Sequence, residues 1–251
     1  MTLPVFTWKS ASLTNVGKVR KVNEDAFLDL PQIGLWVVAD GMGGHDAGDV
    51  ASSMIVEALG NVGEHARPSD FLNDVEDRLF AVNRRLFEIA AEAEQPVTIG
   101  STVVAMLAFG NYCLSVWAGD SRTYRLRDGR LRQITRDHSQ VEEMVEQGEI
   151  LRENAEDHPL ANVITRAVGG SESLYLDLKL QELKDGDRYM LCSDGLYKDV
   201  MPDEISSCLS RGSCAEASSE LIDLVLEREA ADNVTVAVID FAEAEQADVN
   251  A

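Results

Sequence analysis

Basic residues are scarce in this chain. Twenty-two Lys and Arg face 44 Asp and Glu, a formal net charge of −22. A nucleic acid or an anionic membrane surface needs a basic footprint, so neither is expected as a partner. Cysteine is also scarce: Cys113, Cys192, Cys208 and Cys214 show no CxxC spacing. Cys113 and Cys192 lie in apolar, strand-like runs that suit a small buried hydrophobe, which points to a reducing compartment. No apolar run approaches membrane-spanning length, and the first residues, Met1 to Trp8, lack the basic-then-apolar pattern of a secretory signal. A cytoplasmic location is the expectation. Nucleophile motifs are missing too: no cysteine has an arginine six residues on, and no GxSxG occurs.

What remains is a composition of 45% hydrophobic and 26% charged residues over 251 positions, that of a globular protein with room for one large core or two small ones. There is no internal repeat and no linker long enough to separate domains. One domain over residues 1–241 is expected, with a polar flap near 137–163 and a flexible acidic tail, 242–251.

The organising stretch runs from Leu35 to Gly48. Leu35 to Ala39 read as a strand covered on both faces, Asp40 is its first polar group, and glycines follow at 41, 43, 44 and 48. Ala47, Val50, Ala51, Met54, Ile55, Ala58 and Leu59 then recur at helical spacing. Strand, glycine loop and helix are the usual setting for a phosphate. However, no Gly-Lys-Ser/Thr is present, and Asp46 stands where a dinucleotide fingerprint needs glycine. An unpaired carboxylate at Asp40 would repel phosphate unless a cation lay between them. A single Asp-Gly is more often a plain turn.

Further along, Leu72 to Ala93 mark a second amphipathic helix. Val103–Phe109 and Tyr112–Ala118 flank Gly110-Asn111, and Thr123–Leu126 and Leu131–Ile134 flank a turn at Asp128-Gly129; both pairs read as hairpins. Leu174, Leu176, Leu178 and Leu180 alternate with polar residues as a half-buried strand. Lys184 to Asp187 is then expected to turn the chain into Tyr189–Cys192 as a third hairpin. Short helices at Pro202 and over 215–229 precede a last strand, Val234 to Phe241. On this map Asp25, Asp40, Asp120, Asp194 and Asp232 all sit at strand ends. Each alone is a turn former; together they could line one rim, the oxygen-rich setting Mg²⁺ or Mn²⁺ prefers.

The motifs also carry a resemblance. Arg20 to Asp25 (RKVNED), Asp40 to His45 (DGMGGH), Gly100-Ser101-Thr102, Ala118 to Arg122 (AGDSR), Asp137-His138-Ser139, Thr165 to Gly169 (TRAVG), Ser193 to Leu196 (SDGL) and Asp232 to Thr235 (DNVT) closely resemble, in order, those of the metal-dependent PPM (PP2C-type) serine/threonine phosphatases of the bacterial branch. The resemblance spans about residues 10–241.

It implies an α+β, four-layer α-β-β-α sandwich, with two mainly antiparallel sheets flanked by helix pairs. It also implies two Mn²⁺ or Mg²⁺ ions. Asp40 would bridge both metals, with the Gly41 carbonyl on one; Asp25 would act through water, and Asp194 and Asp232 would ligate the other. Asp120 and Asp194 would share a third, weaker metal. Arg20 matches the arginine that grips phosphate, and His45 is the candidate proton donor, or else a residue that caps or orients the loop. His138 is expected to make a structural hydrogen bond, and His65 and His158 to lie at the surface.

One departure stands out. The family commonly has an aspartate four residues after Asp194, where this chain has Lys198, and the acid, Asp199, comes one later. Either a loop adjustment brings Asp199 in, or Lys198 weakens the third metal and leaves the core pair. The flap run Arg152 to Pro159 also departs from the common form. The implied function is hydrolysis of phosphoserine and phosphothreonine by direct attack of water activated by two metals. The enzyme would oppose a bacterial Ser/Thr kinase and act as a monomer. The alternative is a catalytically silent regulatory module of the same fold.

Overall fold

The computed structural model describes residues 6–43, 47–92, 98–155 and 157–244. The chain runs β1 (Phe6–Asn15), β2 (Asp25–Leu30), β3 (Leu35–Gly43), α1 (Gly48–Leu59), α2 (Pro68–Glu92), β4 (Ile99–Ser101), β5 (Val103–Phe109) and β6 (Tyr112–Ala118). It continues through β7 (Arg122–Arg127), β8 (Arg130–Gln133), α3 (Gln140–Glu146), β9 (Asp177–Glu182), β10 (Arg188–Cys192), α4 (Asp194–Tyr197), α5 (Pro202–Leu209), α6 (Cys214–Glu227) and β11 (Val234–Glu243).

Side chains alternate across each strand, and that alternation builds the layers. Trp36 and Val38 of β3, Val104 and Met106 of β5, Tyr189 and Leu191 of β10, and Ile239 and Phe241 of β11 meet in one core between two sheets. The opposite faces of β3 and β5, through Leu35, Val37, Val103 and Ala105, pack under α1 and α2. Those of β10 and β11, through Met190, Cys192, Val236 and Val238, pack under α5 and α6. The result is helices, sheet, sheet, helices. Each large side chain fully buried here contributes about 1.5–3 kcal/mol of transfer free energy.

One sheet has the order β1-β11-β10-β7-β8; the other is β2-β3-β5-β6-β9, with β4 added to the end of β3. All pairings are antiparallel. The two hairpins at Gly110 and Asp128-Gly129 form; the latter turn takes positive φ at both central residues, 51° and 70°, matching the strand twist.

The third expected hairpin does not form. β9 belongs to one sheet and β10 to the other. The segment between them crosses the sandwich because its anchors lie in both layers: Leu183 N–H donates to Asn111 C=O, while the Asp187 carboxylate takes two hydrogen bonds of 2.6 Å from Arg127. The leucine strand is shorter than expected as well. Leu174 and Leu176 precede β9 and pack on the outer core, whereas Leu178 and Leu180 are exposed.

A second difference concerns the glycine stretch. β3 does not stop at Asp40; it continues to Gly43, because Gly41 to Gly43 pair with Ile99 to Ser101 of β4. Asp40 is thus held within a ladder. Other elements are shifted or newly seen: α4 was not anticipated, nor was β4, α2 starts four residues early at Pro68, α6 spans Cys214–Glu227 rather than 215–229, and β11 runs two residues past Phe241. Among the described residues no helix is long and apolar enough to cross a membrane.

Candidate active site

Strand register gathers the acids. Asp25 stands directly opposite Asp40 across β2 and β3. Cys192 stands opposite Val236, so Asp194, just after β10, and Asp232, just before β11, emerge at the same end. Thr102 N–H donates to Asp40 C=O at 2.8 Å, and Thr102 lies against Gly119, bringing Asp120 to the same rim.

Asp25 is held by a directed chain of hydrogen bonds. Asn23 Nδ2 donates to Thr14 Oγ1 (2.9 Å), Thr14 Oγ1 contacts Thr235 Oγ1 (2.7 Å), and Thr235 Oγ1 donates to Asp25 Oδ2 (2.7 Å). Ser193 Oγ donates to the same oxygen at 2.7 Å. Asp25 Oδ1 is buried and has no partner among the described residues. Both hydroxyl donors therefore engage one oxygen of the carboxylate and leave the other free of them.

Asp40 is positioned through its backbone. Its N–H donates to Thr102 Oγ1 (3.1 Å), and its carbonyl also accepts from Ser101 Oγ (2.9 Å). Gly41 beside it is required by close approach: a Cβ there would lie 2.0 Å from the Gly48 carbonyl oxygen at the start of α1. The Glu24 side chain accepts from Gly48 N–H at 3.1 Å, tying α1 to the loop that carries Arg20.

Asp120 is fixed from two sides. Tyr197 OH donates to its carbonyl oxygen at 3.1 Å and reaches Oδ2 at 3.4 Å. His138 N–H donates to Gly119 C=O (2.9 Å), and Gly119 N–H donates to His138 Nδ1 (3.1 Å). Because Nδ1 accepts, the ring proton sits on Nε2, which faces Asp177 at 3.3 Å. Gly119 has φ +114°, which favours glycine. Asp120 Oδ1, like Asp25 Oδ1, is buried without a partner among the described residues.

Two cations border the acids. Arg20 Nη2 donates to Asp232 Oδ2 at 2.9 Å from a side chain that is half exposed, and Lys198 Nζ pairs with Asp194 Oδ2. Asn233 secures the Arg20 loop by accepting from Glu24 N–H and donating to the Val16 and Val22 carbonyls.

The electrostatics follow from burial. Desolvation pushes Asp25 up to about 7 against the pull of Ser193 and Thr235, with repulsion from Asp194 and Asp232 adding to it. Burial likewise drives Asp120 up to about 7, with Asp194 and Asp137 raising it further. Asp40 is pushed well above the ordinary range by burial and then by Asp25, Asp194, Asp120 and Asp232. Ionised together these groups repel one another, so the set fits a divalent cation better than protons. Among the described residues no three His, Cys, Asp or Glu side chains close round a single point. That is compatible with Mg²⁺ or Mn²⁺, since such ions keep several waters and need only one or two carboxylates each.

Of the residues expected from sequence, Arg20, Asp25, Asp40, Gly41, Asp120, Asp194 and Asp232 lie at this end of the sandwich. His45 lies outside the described residues. Asp199 does not join the acids: its Oδ2 accepts from Ala230 N–H at 3.1 Å and its carbonyl from Arg228. Sequence reasoning missed Ser193, Thr235 and Tyr197, whereas His138 makes the structural hydrogen bond expected of it, accepting from Gly119 N–H. The three missed residues adjoin an expected acid in sequence, Ser193 before Asp194, Thr235 three after Asp232 and Tyr197 three after Asp194, and that adjacency was the available signal.

Beside the acids, the segment after Asp137 and the β7–β8 hairpin border a cleft of about 920 Å³ whose lining includes Asp120, Arg122, Arg152 and Lys198. Arg122 forks onto Asp137 (2.6 Å to Oδ2) and lies 3.4 Å over the Tyr197 ring, a cation–π contact. Burial pushes the Cys113 and Cys192 thiols up to about 12, so neither is a thiolate nucleophile.

The protein phosphatase 2C family model matches residues 18–235. Over 233 residues the chain is 40% identical to the serine/threonine protein phosphatase PstP of Mycobacterium tuberculosis, covering 92% of this chain but only 44% of that relative's length. Among solved structures, PppA of Pseudomonas aeruginosa, described as a key regulatory component of T6SS, superposes with a TM-score of 0.87 at 44% identity, over 94% of this chain and 98% of that one. The catalytic domain of PstP in complex with two manganese ions superposes with a TM-score of 0.85 at 36% identity, over 95% and 100%.

Proposed function

The chain belongs to the protein phosphatase 2C family, and we propose that its acid-lined rim hydrolyses phosphoserine and phosphothreonine in proteins with the help of two divalent ions. The observation that carries this reading is the Asp25–Asp40 pair, opposed in register and surrounded by Asp120, Asp194 and Asp232, with a buried oxygen of Asp25 left unpartnered.

In this reading Asp40 and the Gly41 carbonyl, with Asp194 and Asp232, hold the two ions, and Asp25 orients water at its free oxygen. When bound, Mn²⁺ or Mg²⁺ supplies Lewis-acid charge and acidifies water. The chain's own groups supply the rest. Arg20 stays charged, its guanidinium held above its ordinary range by Asp232, and presents its remaining N–H groups to phosphate oxygens from the rim. The hydroxyl chain through Thr14, Thr235 and Ser193 keeps one oxygen of Asp25 engaged, so that only Oδ1 is offered to water. His45 is proposed to give the leaving seryl or threonyl oxygen its proton. The cleft beside Asp120 would take the polypeptide that carries the phosphate. A silent module of the same fold would be expected to have shed acids, and all five are present.

The physiological counterpart would be a bacterial Ser/Thr kinase whose products this protein reverses, with the cytoplasm as the setting that best suits four free, buried cysteines. Chelator-stripped protein should release phosphate from a phosphothreonine peptide only after Mn²⁺ or Mg²⁺ is restored. No release with either ion would overturn the proposal.

A further inference from the structure

Asp194 opens α4 and Lys198 follows it by four residues, one turn on and on the same side of the chain. The Lys198 ammonium pairs with Asp194 Oδ2. Most pairs at this spacing are solvated and contribute little. Here the carboxylate side is different, for Asp194 is only 14% exposed and Asp120, beside it, is 4% exposed. Cys192 of β10 stands opposite Arg122 of β7, so Asp194 and Asp120, each two residues beyond that pair, emerge at the same end, and while Tyr197 reaches Asp120 its neighbour Lys198 reaches Asp194.

The next acid along the chain is not available to these carboxylates. Asp199 is committed to Ala230 and Arg228 at the approach to β11. At this end of the rim Asp194 is thus paired with a cation that the chain itself provides, next to the buried Asp120, one oxygen of which has no partner among the described residues.

We propose that Lys198 occupies, as a tethered cation, the place between Asp194 and Asp120 that a further divalent ion would otherwise take, so that this chain binds two ions and not three. This rests on the metal-dependent reading above. Because the ammonium is tethered to the chain at the end of α4, it is not lost to a chelator and does not depend on metal concentration. A divalent ion entering there would have to displace it and meet its charge at close range.

The test counts ions rather than turnover. Stripped protein is equilibrated with millimolar Mn²⁺ and bound metal is measured by equilibrium dialysis with electron paramagnetic resonance of the free ion. Wild type and Lys198→Arg should each hold two ions per chain, whereas Lys198→Ala and Lys198→Asp should each hold three, the third the weakest. Circular dichroism confirms that each variant is folded. Three ions in wild type, or two in both Lys198→Ala and Lys198→Asp, would overturn the inference and leave the phosphatase reading standing. No ion bound by wild type would overturn both.

Discussion

Asp25 shows how a single residue is tuned. Ser193 and Thr235 donate to one oxygen, while the other is left to whatever the acids attract. Replacing both hydroxyls, as Ser193→Ala with Thr235→Val, should weaken Mn²⁺ binding by roughly 10–100-fold in a calorimetric titration, the usual cost of losing groups that orient a ligand. The raised Asp25 carboxyl also carries a signed pH effect in metal-free protein. Its folded value of about 7 lies above the unfolded value near 3.8, so the stabilisation from its proton is present at low pH and lost as pH rises through that window. Metal-free wild type should therefore lose stability relative to Asp25→Asn between pH 4 and 7, by about 1.4 kcal/mol or more in urea melts. At this scale the acids were legible, because aspartates at strand ends, three of them next to glycine, are conspicuous. Their supporting hydroxyls were not, since Ser193 and Thr235 look like ordinary strand residues until β10 and β11 are paired. His45 has its own test. If it protonates the leaving oxygen, His45→Ala should slow release from a phosphoserine peptide far more than from p-nitrophenyl phosphate, whose phenolate leaves without a proton.

At the scale of elements, the covered strand, the long amphipathic helices and two hairpins could be read from period and turn residues. The partners of β9 and β10 could not. Lys184-Asp185-Gly186-Asp187 carries turn chemistry that is the same whether the chain doubles back in one sheet or crosses to the other. What decides is tertiary: Arg127 clamps Asp187, whose side chain is fully buried. Asp187→Ala should cost about 3–5 kcal/mol in chemical denaturation, the range for breaking a buried ion pair by removing one partner. The extension of β3 through Gly43 was hidden for a similar reason, since a glycine run suggests a loop and only the pairing with β4 shows otherwise. Gly41→Ala would force the start of α1 away from β3 and should lower the melting temperature while reducing metal affinity.

At the scale of the molecule, the sandwich brings the ends of two differently paired sheets to one rim, and folding concentrates there a part of the −22 net charge. That concentration opposes the metal-free fold and is relieved by cations. Arg20 and Lys198 supply two of them within the chain, and the proposed ions supply the remainder. The same balance accounts for the motifs that hold Arg20, Asp25, Asp40, Asp120, Asp194 and Asp232 being spread along the chain, since these residues meet at one end of the sandwich. The most direct measurement is phosphate release from a phosphothreonine peptide by Asp40→Asn beside wild type, both folded by circular dichroism and both saturated with Mn²⁺. A loss of more than about 100-fold is predicted, beyond the upper end for a merely supporting residue. Asp40→Asn turning over at the wild-type rate would contradict the account.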